Sequence, residues 1–360
     1  MSNKINVAFC IDTTYTQHLG VAIASLLLHN AAKDVQIYIA SSRLDPVDHD
    51  RLAGIGTTFG TEIIFEQIPE ERVSGFRQHL HLSRAAYYRM LLADILVHVD
   101  KIIYLDCDLV VEADLRELWD TDVTDSGCAG VDEGNPAQTR RLGLDPDFYI
   151  NSGVLVFNLA YWREHDIIVK CLEWVEANPT NNILLDQDAI NVVLMGQKKR
   201  IDLKWNLNPV PLEDIGVLRQ YPEHILHFGG PVKPWHKCYD FQLQAIYRKY
   251  LGLTPWAASF TVDEPRNAGQ AALVAHQLLA ASDFMGACRY YQQAITFRVT
   301  SHNLESKLVL DCINGGHRHY NCQDYVSACE HYRSALESWG YPLTYEINIY
   351  KMPGLLDGVF

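Results

Sequence analysis

Two carboxylates, Asp106 and Asp108, stand one residue apart directly after the apolar run Lys101–Leu105. If that run is a strand, both side chains lie at its carboxyl end and can reach the same divalent cation. Carboxylate oxygens suit hard ions such as Mg²⁺ and Mn²⁺, and such an ion neutralises the charge of a diphosphate. The same Asp-x-Asp spacing begins at four other positions, which are Asp48, Asp120, Asp145 and Asp186. A solvated acidic turn is the alternative, but the apolar strand before Asp106 favours a metal site at this copy.

The segment from His227 to His236 concentrates glycine, proline, tryptophan, lysine and histidine. Its glycines and prolines predict a tight loop. His227 offers an imidazole, which suits Mn²⁺ better than Mg²⁺, and Lys233 offers a cation for phosphate. A single histidine is more often structural, but this combination of residue types indicates a functional loop. The sequence leaves both interpretations open for His236.

Polar residues also stand at the start of two later elements. Asn151–Gly153 precede a predicted strand over 154–159, and Asp186–Asp188 stand at the start of a predicted helix over 188–195. Asp186 and Gln187, expected just before that helix, could hydrogen-bond sugar hydroxyls, whereas Asp188 could be the helix N-cap. The chain has no Gly-x-Gly-x-x-Gly, Walker or Gly-x-Ser-x-Gly motif. Dinucleotide-binding, ATP-motif and serine-hydrolase functions are therefore unsupported.

The elements that must position these residues alternate between strand and helix over the first 110 residues. Strands are predicted over 6–11, 35–40, 62–68 and 101–105, and helices over 16–30, 46–52 and 83–92. A further helix is predicted over 161–177. This alternation predicts an α/β fold with a mostly parallel sheet that helices cover on both faces. Ligands of such sheets bind at the carboxyl ends of the strands, where Asp106 and Asp108 are expected.

The composition is that of a folded, acidic chain of 360 residues, with 48% apolar residues and a formal net charge of −14. This charge, without a local basic patch, argues against nucleic-acid binding. No apolar stretch approaches the roughly 18 residues that a membrane span needs. Residues 1–9 are predicted to form a strand and not a signal peptide. Nine cysteines without a Cys-x-x-Cys pair predict reduced thiols in a cytoplasmic protein.

An internal repeat distinguishes the C-terminal part of the chain. The segment Asp283–Ile295 aligns with Asp324–Leu336 at a constant offset of 41 residues, with alanines and tyrosines at matching positions. This spacing resembles the second helix of a tetratricopeptide hairpin, whose usual period is about 34. An ordinary amphipathic helix pair is the alternative. The predicted division is a domain over 1–258, a helical-hairpin region over 264–340 and a tail over 341–360.

Taken together, the motifs of residues 5–250 resemble glycosyl transferase family 8, retaining enzymes that include bacterial lipopolysaccharide galactosyl- and glucosyltransferases. Seven motifs occur in the family's order: Phe9–Asp12 with Tyr15, Tyr87–Arg89, Tyr104–Asp108, Asn151–Val154, Asn158–Trp162, Asp186–Asp188 and His227–His236. The resemblance implies a GT-A, Rossmann-like nucleotide-sugar domain with a mixed, mostly parallel sheet. A small all-α C-terminal region would follow it.

The resemblance implies a donor site for UDP-galactose or UDP-glucose. Cys10 and Asp12, at the end of the first strand, would hold the uracil and ribose. Tyr15 and Cys107 would belong to the same site. The donor would supply a hexose to a saccharide acceptor such as lipopolysaccharide or another surface glycan.

The resemblance also implies how the diphosphate is bound. Asp106 and Asp108 would ligate Mn²⁺, with Mg²⁺ as the alternative ion, and His227 would be a third protein ligand. Lys233 and the backbone amides near Gly230 would bind the diphosphate as it leaves. The cation and the lysine would stabilise the charge that develops on the leaving group.

Around the transferred sugar, the resemblance places Asn151, Asp186 and Gln187, with Arg89 on the sugar or the diphosphate. Ser152 stands where relatives often have alanine, a change that could tune donor choice. Gln187 is neutral and a poor nucleophile, so front-face attack through an oxocarbenium-like ion pair is favoured. A leaving-group phosphate oxygen would take the acceptor's proton. Asp186 as a covalent nucleophile is the alternative.

Two other classes of function compete with a transferase. One is an inactive, transferase-like scaffold that acts through its helical region, and the other is a glycosidase, which the Asp-x-Asp placement disfavours. Residues 261–360 carry ten acidic and seven basic residues, so no polybasic membrane anchor is expected. Region 264–340 is expected to serve acceptor docking, a protein partner or self-association, and a chain ending near Trp256 is expected to keep UDP binding. The expected location is the cytoplasm, with a peripheral position at the inner membrane left open.

Overall fold

The computed structural model describes residues 4–76, 84–144, 148–208, 215–230, 232–239, 241–301 and 307–338. The chain divides into two compact units. The first consists of Met1–Asn208, Gly216–Phe228 and Tyr247–Ser259, and the second of Pro209–Ile215, Gly229–Ile246 and Phe260–Phe360. The predicted tail 341–360 and the acidic pair that begins at Asp145 lie outside the described residues. The domain bounds 1–258 and 264–340 stay predictions.

The first unit is built on β-sheet. Its strands within the described ranges are β1 (Ile5–Ile11), β2 (Val35–Ser41), β3 (Ile63–Gln67), β4 (Lys101–Leu105), β5 (Leu109–Glu112), β6 (Cys128–Asp132), β7 (Ile150–Asn158), β8 (Lys198–Arg200) and β9 (His224–His227). A seven-stranded sheet has the order β3-β2-β1-β4-β7-β6-β8, and β5 and β9 form a separate two-stranded sheet. β1 to β4 run parallel, whereas β7 is antiparallel to both β4 and β6. The predicted α/β fold with a mixed, mostly parallel sheet is confirmed.

Helices make up most of the remaining structure in the described ranges. The α-helices are α1 (Thr16–His29), α2 (Pro46–Phe59), α3 (Leu92–Ile95), α4 (Arg116–Trp119), α5 (Pro136–Leu142), α6 (Leu159–Glu164), α7 (Ile167–Ala177), α8 (Asp186–Val193), α9 (Ile215–Gln220), α10 (Phe241–Leu251), α11 (Ala268–Ala280), α12 (Phe284–Ser301), α13 (Lys307–Asn321) and α14 (Tyr325–Ser338). Short 3₁₀ helices cover Ala32–Asp34, Glu70–Arg72, Arg84–Leu91 and Leu203–Asn206.

The first strand and the second helix show how local sequence produces these elements. β1 pairs with β2 on one side and β4 on the other, and all of its residues except Asn6 are buried, which explains its apolar run. Asp45 caps α2 by accepting the backbone N–H of Val47 at 2.9 Å. α2 continues beyond its predicted end at residue 52 and stops at Gly60, whose φ of 81° suits glycine.

Several predicted boundaries were wrong. β7 begins at Ile150, where it still pairs with β6, so Asn151–Gly153 lie within the strand and not before it. The predicted helix 161–177 is two helices, because Asp166 between them has a φ of 52°. α8 begins at Asp186, so Asp186 and Gln187 lie in its first turn and do not precede it. Most of segment 83–92 is a 3₁₀ helix and not an α-helix.

In the second unit, the sequence repeat is also a repeat of local structure. Ser282 and Gln323, at matching positions, have φ values of 63° and 62°. The next residues, Asp283 and Asp324, each accept the backbone N–H three residues later, at 2.9 and 3.2 Å. α11 packs against α12, and α13 against α14. These contacts form two helical hairpins, and the tetratricopeptide likeness stays a prediction.

The nine cysteines all lie within the described ranges, and none is in a disulfide there; the reduced state stays a prediction. Most of them are buried, as small apolar side chains usually are. Among the helices that the structure describes, none combines the length and the hydropathy that crossing a bilayer requires.

Candidate functional site

Three potential cation ligands meet at one edge of the sheet, and we call Asp106, Asp108 and His227 the ligand cluster. β4 ends at Leu105, which places both aspartates directly beyond it. β9 pairs with β5 and sets His227 opposite Leu109. One ligand atom from each member lies within 4.8 Å of the other two. His227 Nε2 is 3.8 Å from Asp106 Oδ2 and 3.4 Å from Asp108 Oδ1.

The ligand cluster fits a divalent cation. Its two carboxylates and one imidazole form a mixed donor set that suits Mn²⁺, and none of the three residues is fully exposed. Gly153 provides the space that the cluster needs. A Cβ at this position would lie 2.3 Å from His227 Cε1 and 2.9 Å from Asp106 Oδ2. Any side chain at residue 153 would therefore displace ligand atoms.

Arg89 joins the ligand cluster to α8. Its guanidinium lies 3.0 Å from Asp106 Oδ1 and 2.9 Å from Asp186 Oδ2, and it donates to the Ser152 carbonyl at 2.6 Å. Tyr104 donates its hydroxyl to the same Asp106 oxygen at 2.7 Å. Oδ1 of Asp106 therefore contacts Arg89 and Tyr104, whereas Oδ2 faces His227 of the ligand cluster. Arg89 is only 7% exposed, and the protein itself engages its guanidinium.

Asp186 has an environment that disfavours its charged form. Burial raises the pKa of its carboxyl to about 7, against the lowering effect of the Arg89 guanidinium. This carboxyl is therefore protonated more readily than that of an exposed aspartate. A protonated carboxyl is a poor nucleophile, so this environment speaks against the covalent alternative.

Gln187 is held by hydrogen bonds on both ends of its amide. Its Oε1 accepts the backbone N–H and the hydroxyl of Ser152, at 2.9 and 3.2 Å. Its Nε2 donates to Glu133 Oε1 and to the Tyr149 hydroxyl, each at 3.1 Å. Because a backbone N–H can only donate, the amide oxygen must face Ser152. The structure therefore gives Gln187 a fixed orientation within the protein.

Asp188 stabilises the turn that leads into α8. Its side chain accepts the backbone N–H groups of Ile183 and Leu184, at 2.8 and 3.0 Å. It also accepts the Tyr149 hydroxyl at 2.6 Å. The following turn contains Leu185 with a φ of 52°, a conformation that costs energy for a leucine. Asp188 thus has the structural role that the sequence left open, although as the third residue of the helix and not as its N-cap.

The residues predicted to hold the nucleoside lie at the same edge of the sheet. Cys10 is buried near the end of β1, and the Cys107 thiol donates to its carbonyl oxygen at 3.3 Å. Asp12 accepts the backbone N–H and the hydroxyl of the residue two positions later, at 3.0 and 2.5 Å. Burial and the nearby carboxylate of Asp108 raise the pKa of Tyr15 well above its usual range. The role of these residues in nucleotide binding stays a prediction.

The remaining predicted residues, Gly230 and Lys233, belong to the second unit. Gly230 has a φ of 83°, a conformation that favours glycine. The Lys233 side chain is buried, and its backbone N–H donates to His236 Nδ1 at 3.2 Å. Burial and the charges of Lys233 and Arg266 lower the pKa of His236 to about 4, so this ring is neutral at pH 7. Diphosphate binding by Gly230 and Lys233 stays a prediction.

Sequence reasoning missed two residues that contact the predicted site. Glu133 follows β6 and accepts hydrogen bonds from Asn151 Nδ2 at 2.9 Å and from Gln187. Asn206 Oδ1 lies 2.9 Å from His227 Nδ1, and the Asn206 amide donates to Asn151 Oδ1 at 2.8 Å. Glu133 could have been found as a polar residue at a strand end, had the short strand β6 been recognised. Asn206 belongs to no motif, so no local signal pointed to it.

Comparison with known proteins gives consistent matches. The model of glycosyl transferase family 8 matches residues 6–238, which include the whole ligand cluster. General stress protein A of Bacillus subtilis is 28% identical over 270 residues, or 70% of this chain and 94% of that protein. Lipopolysaccharide 1,3-galactosyltransferase of Salmonella typhimurium is 24% identical over 322 residues, which are 83% of this chain and 90% of that protein. The solved structure of galactosyltransferase LgtC with donor and acceptor sugar analogues has 25% identity and a TM-score of 0.62, over 71% of this chain and 99% of its own.

Proposed function

As this chain belongs to glycosyl transferase family 8, we propose that it transfers galactose or glucose from a UDP-sugar to a saccharide with retention of configuration. Glycosyltransferase activity follows from the family. The observation that carries the finer proposal is the ligand cluster at the carboxyl edge of the sheet, tied by Arg89 to Asp186 on α8. The proposed acceptor is lipopolysaccharide or another surface glycan. A cytoplasmic location stays a prediction from the sequence.

Asp106, Asp108 and His227 would hold the cation, Mn²⁺ in our proposal with Mg²⁺ as the alternative. When bound, such an ion neutralises charge on the diphosphate and on the leaving UDP. Lys233 and the backbone near Gly230 would bind the same diphosphate. Cys10, Asp12, Tyr15 and Cys107 would hold the nucleoside. Cys10 lies on β1, and Cys107 follows the adjoining strand β4.

We propose front-face attack as the route to retention. Gln187 has both ends of its amide engaged, and the buried carboxyl of Asp186 is paired with Arg89, so neither presents a free anionic nucleophile. The acceptor hydroxyl would then attack the anomeric carbon from the side on which UDP departs. Its proton would pass to a phosphate oxygen of the leaving UDP, while the C–O bond to that phosphate breaks. Asn151 and Ser152 would lie along the sugar.

The inactive scaffold, the alternative from the sequence, is not favoured, because the ligand cluster is complete. A thermal-shift screen with UDP, UDP-glucose and UDP-galactose, each with Mn²⁺, Mg²⁺ or EDTA, tests the proposal. We expect stabilisation by the nucleotides that depends on the divalent ion, and slow hydrolysis of one UDP-sugar. Equal shifts with Mn²⁺ and EDTA, together with no hydrolysis, would overturn it.

A further inference from the structure

The two nitrogens of His227 have different surroundings. Nε2 faces the carboxylates of Asp106 and Asp108, and Nδ1 lies 2.9 Å from Asn206 Oδ1. A neutral imidazole carries its proton on one nitrogen and a lone pair on the other. His227 can ligate a cation through Nε2 only if the proton is on Nδ1. The partner of Nδ1 therefore decides whether this residue can act as a ligand.

A backbone group sets the direction of every hydrogen bond in this chain of contacts. The Gly153 N–H donates to the side-chain oxygen of Asn151 at 2.9 Å. A backbone N–H cannot accept, so the atom of Asn151 that it meets must be Oδ1. Asn206 approaches the same oxygen at 2.8 Å and must present its NH₂ group there. Its carbonyl oxygen is consequently the atom that faces His227 Nδ1.

The backbone holds Asn206 in register with β9. Its neighbour Leu207 donates to the Ile225 carbonyl at 2.9 Å, and the His227 N–H donates to the Leu207 carbonyl at 2.8 Å. Asn206 and His227 are 3% and 5% exposed, so bulk water does not compete for the bond between them. An amide oxygen fixed at this position can accept a hydrogen bond from a protonated Nδ1, but it cannot donate one to an unprotonated Nδ1.

We infer that Asn206 is the positioning residue of His227, because its side-chain oxygen holds the proton on Nδ1 and leaves the Nε2 lone pair for a divalent cation. The inference rests on the proposed function for the identity of that cation. The distant anchor of the arrangement is the Gly153 N–H, which fixes Asn151 and through it Asn206. The Asn-Ser-Gly motif thus serves the metal site through its asparagine as well as its glycine.

The tautomer can be measured without any metal, by ¹⁵N NMR of the histidine ring nitrogens in the full-length protein. His227→Gln identifies the signals of His227 by their loss. We expect a protonated Nδ1 in the unsubstituted protein, and a mixture of tautomers in Asn206→Ala. Asn206→Asp keeps an acceptor for Nδ1 and should retain the protonated Nδ1. An unprotonated Nδ1 in the unsubstituted protein would overturn the inference.

Mn²⁺ affinity, measured by titration with the metal alone, supplies the second readout. Asn206→Ala should weaken it by about 10- to 100-fold, and Asn206→Asp by clearly less. Asn30→Ala is the matched control, because Asn30 is equally buried and makes three hydrogen bonds to backbone groups remote from the ligand cluster. Unchanged affinity in Asn206→Ala, or equal losses in both Asn206 variants, would overturn the inference. Failure of the unsubstituted protein to bind Mn²⁺ would instead overturn the proposed metal, and the tautomer measurement distinguishes the two failures.

Discussion

The ligand cluster of the first unit and the segment 232–239 of the second, which we call the Lys233 loop, are held by different means. The cluster depends on strands, since Asp106 follows β4 and His227 lies on β9 paired with β5. The Lys233 loop is attached to Asp263, directly before the helical region, and to residues within that region. Asp263 exchanges two backbone hydrogen bonds with it, at 2.8 and 2.9 Å, and Gln277 on α11 donates to two of its carbonyls, at 3.0 and 3.2 Å.

This difference changes what is expected of the helical region. Sequence alone suggests that a chain ending near Trp256 keeps UDP binding, because the repeat supplies no ligand. In the structure, however, Lys237 of the loop pairs with Glu264 at 2.7 Å, in addition to the contacts of Asp263 and Gln277. Removing the residues beyond Ser259 would remove all of these partners. The helical region therefore supports the loop that is predicted to bind the diphosphate.

Loss of a carboxylate from the ligand cluster has the largest expected effect. Asp106→Asn and Asp108→Asn should each lower the rate of UDP-sugar turnover at least about 100-fold. Loss of a charged ligand raises the activation free energy by several kcal/mol. Asp120→Asn is the matched control, an exposed aspartate in the same Asp-x-Asp spacing. Initial rates with Mn²⁺ are the measurement, and circular dichroism checks the fold. Normal rates in both cluster variants would remove the functional distinction between the two regions.

The buried Asp186 should make the first unit sensitive to pH. Its pKa of about 7 in the folded chain exceeds the ordinary value of 3.8. At a pH between these two values, the carboxyl binds a proton in the folded chain more often than in the unfolded chain. Its contribution to stability therefore falls as the pH rises from about 4 to 7. The variant Asp186→Asn lacks this pH-dependent loss. Its free energy of unfolding, relative to that of the unsubstituted protein, should therefore rise by roughly 2 kcal/mol between pH 5 and 8. Urea unfolding of the metal-free proteins measures this, and parallel pH curves would contradict it.

Lys233→Ala tests the loop in its predicted role. We expect turnover to fall by about 10-fold, the effect of one charge-assisted contact, with the preference between UDP-glucose and UDP-galactose unchanged. Lys199→Ala, a lysine of the first unit paired with Asp125, is the control. A changed sugar preference would mean that Lys233 contacts the sugar. A loss as large as that of Asp108→Asn would show that loop and cluster contribute equally.

The smallest predicted effect concerns the attachment of the loop. Gln277→Leu removes two hydrogen bonds to loop carbonyls and should weaken UDP affinity in the presence of Mn²⁺ by about 5-fold, or about 1 kcal/mol. Gln292→Leu is the control, because this glutamine of the same helical region bonds to Tyr332 and not to the loop. Isothermal titration calorimetry measures both variants. Identical affinities would show that the helices do not position the loop.

Much of the fold was predictable because its central elements carry strong local signals. β1 and β4 are apolar runs, and α1 has helical spacing, so the sheet and the edge that carries the candidate site could be placed from sequence. β6 was missed because five residues that include a glycine and an aspartate give a weak strand signal. Glu133 was missed with it, since nothing marked this residue as lying beyond a strand end.

The parts of the site that could not be predicted depend on strain or on distant contacts. The start of α8 was misplaced because Leu185 adopts a positive φ that no propensity favours in leucine. The neighbourhood of Asp106 and Asp108 was predicted from one strand, and the resemblance added His227 as a ligand. Neither the sequence around Asn206 nor the sequence around His227 contains a pattern that predicts the hydrogen bond between them. Motifs could thus indicate which side chains meet at the candidate site, but not which residues hold them.

The pairing of β5 with β9 has a consequence for the order in which the chain acquires its function. These strands lie far apart in sequence, and closing so long a loop costs entropy and slows folding. A nascent chain on the ribosome presents Asp106 and Asp108 well before His227 has been synthesised. Capture of the proposed cation by all three residues must therefore wait until β9 has emerged and paired. A cation that binds this late-formed arrangement stabilises the native chain over its folding intermediates by mass action.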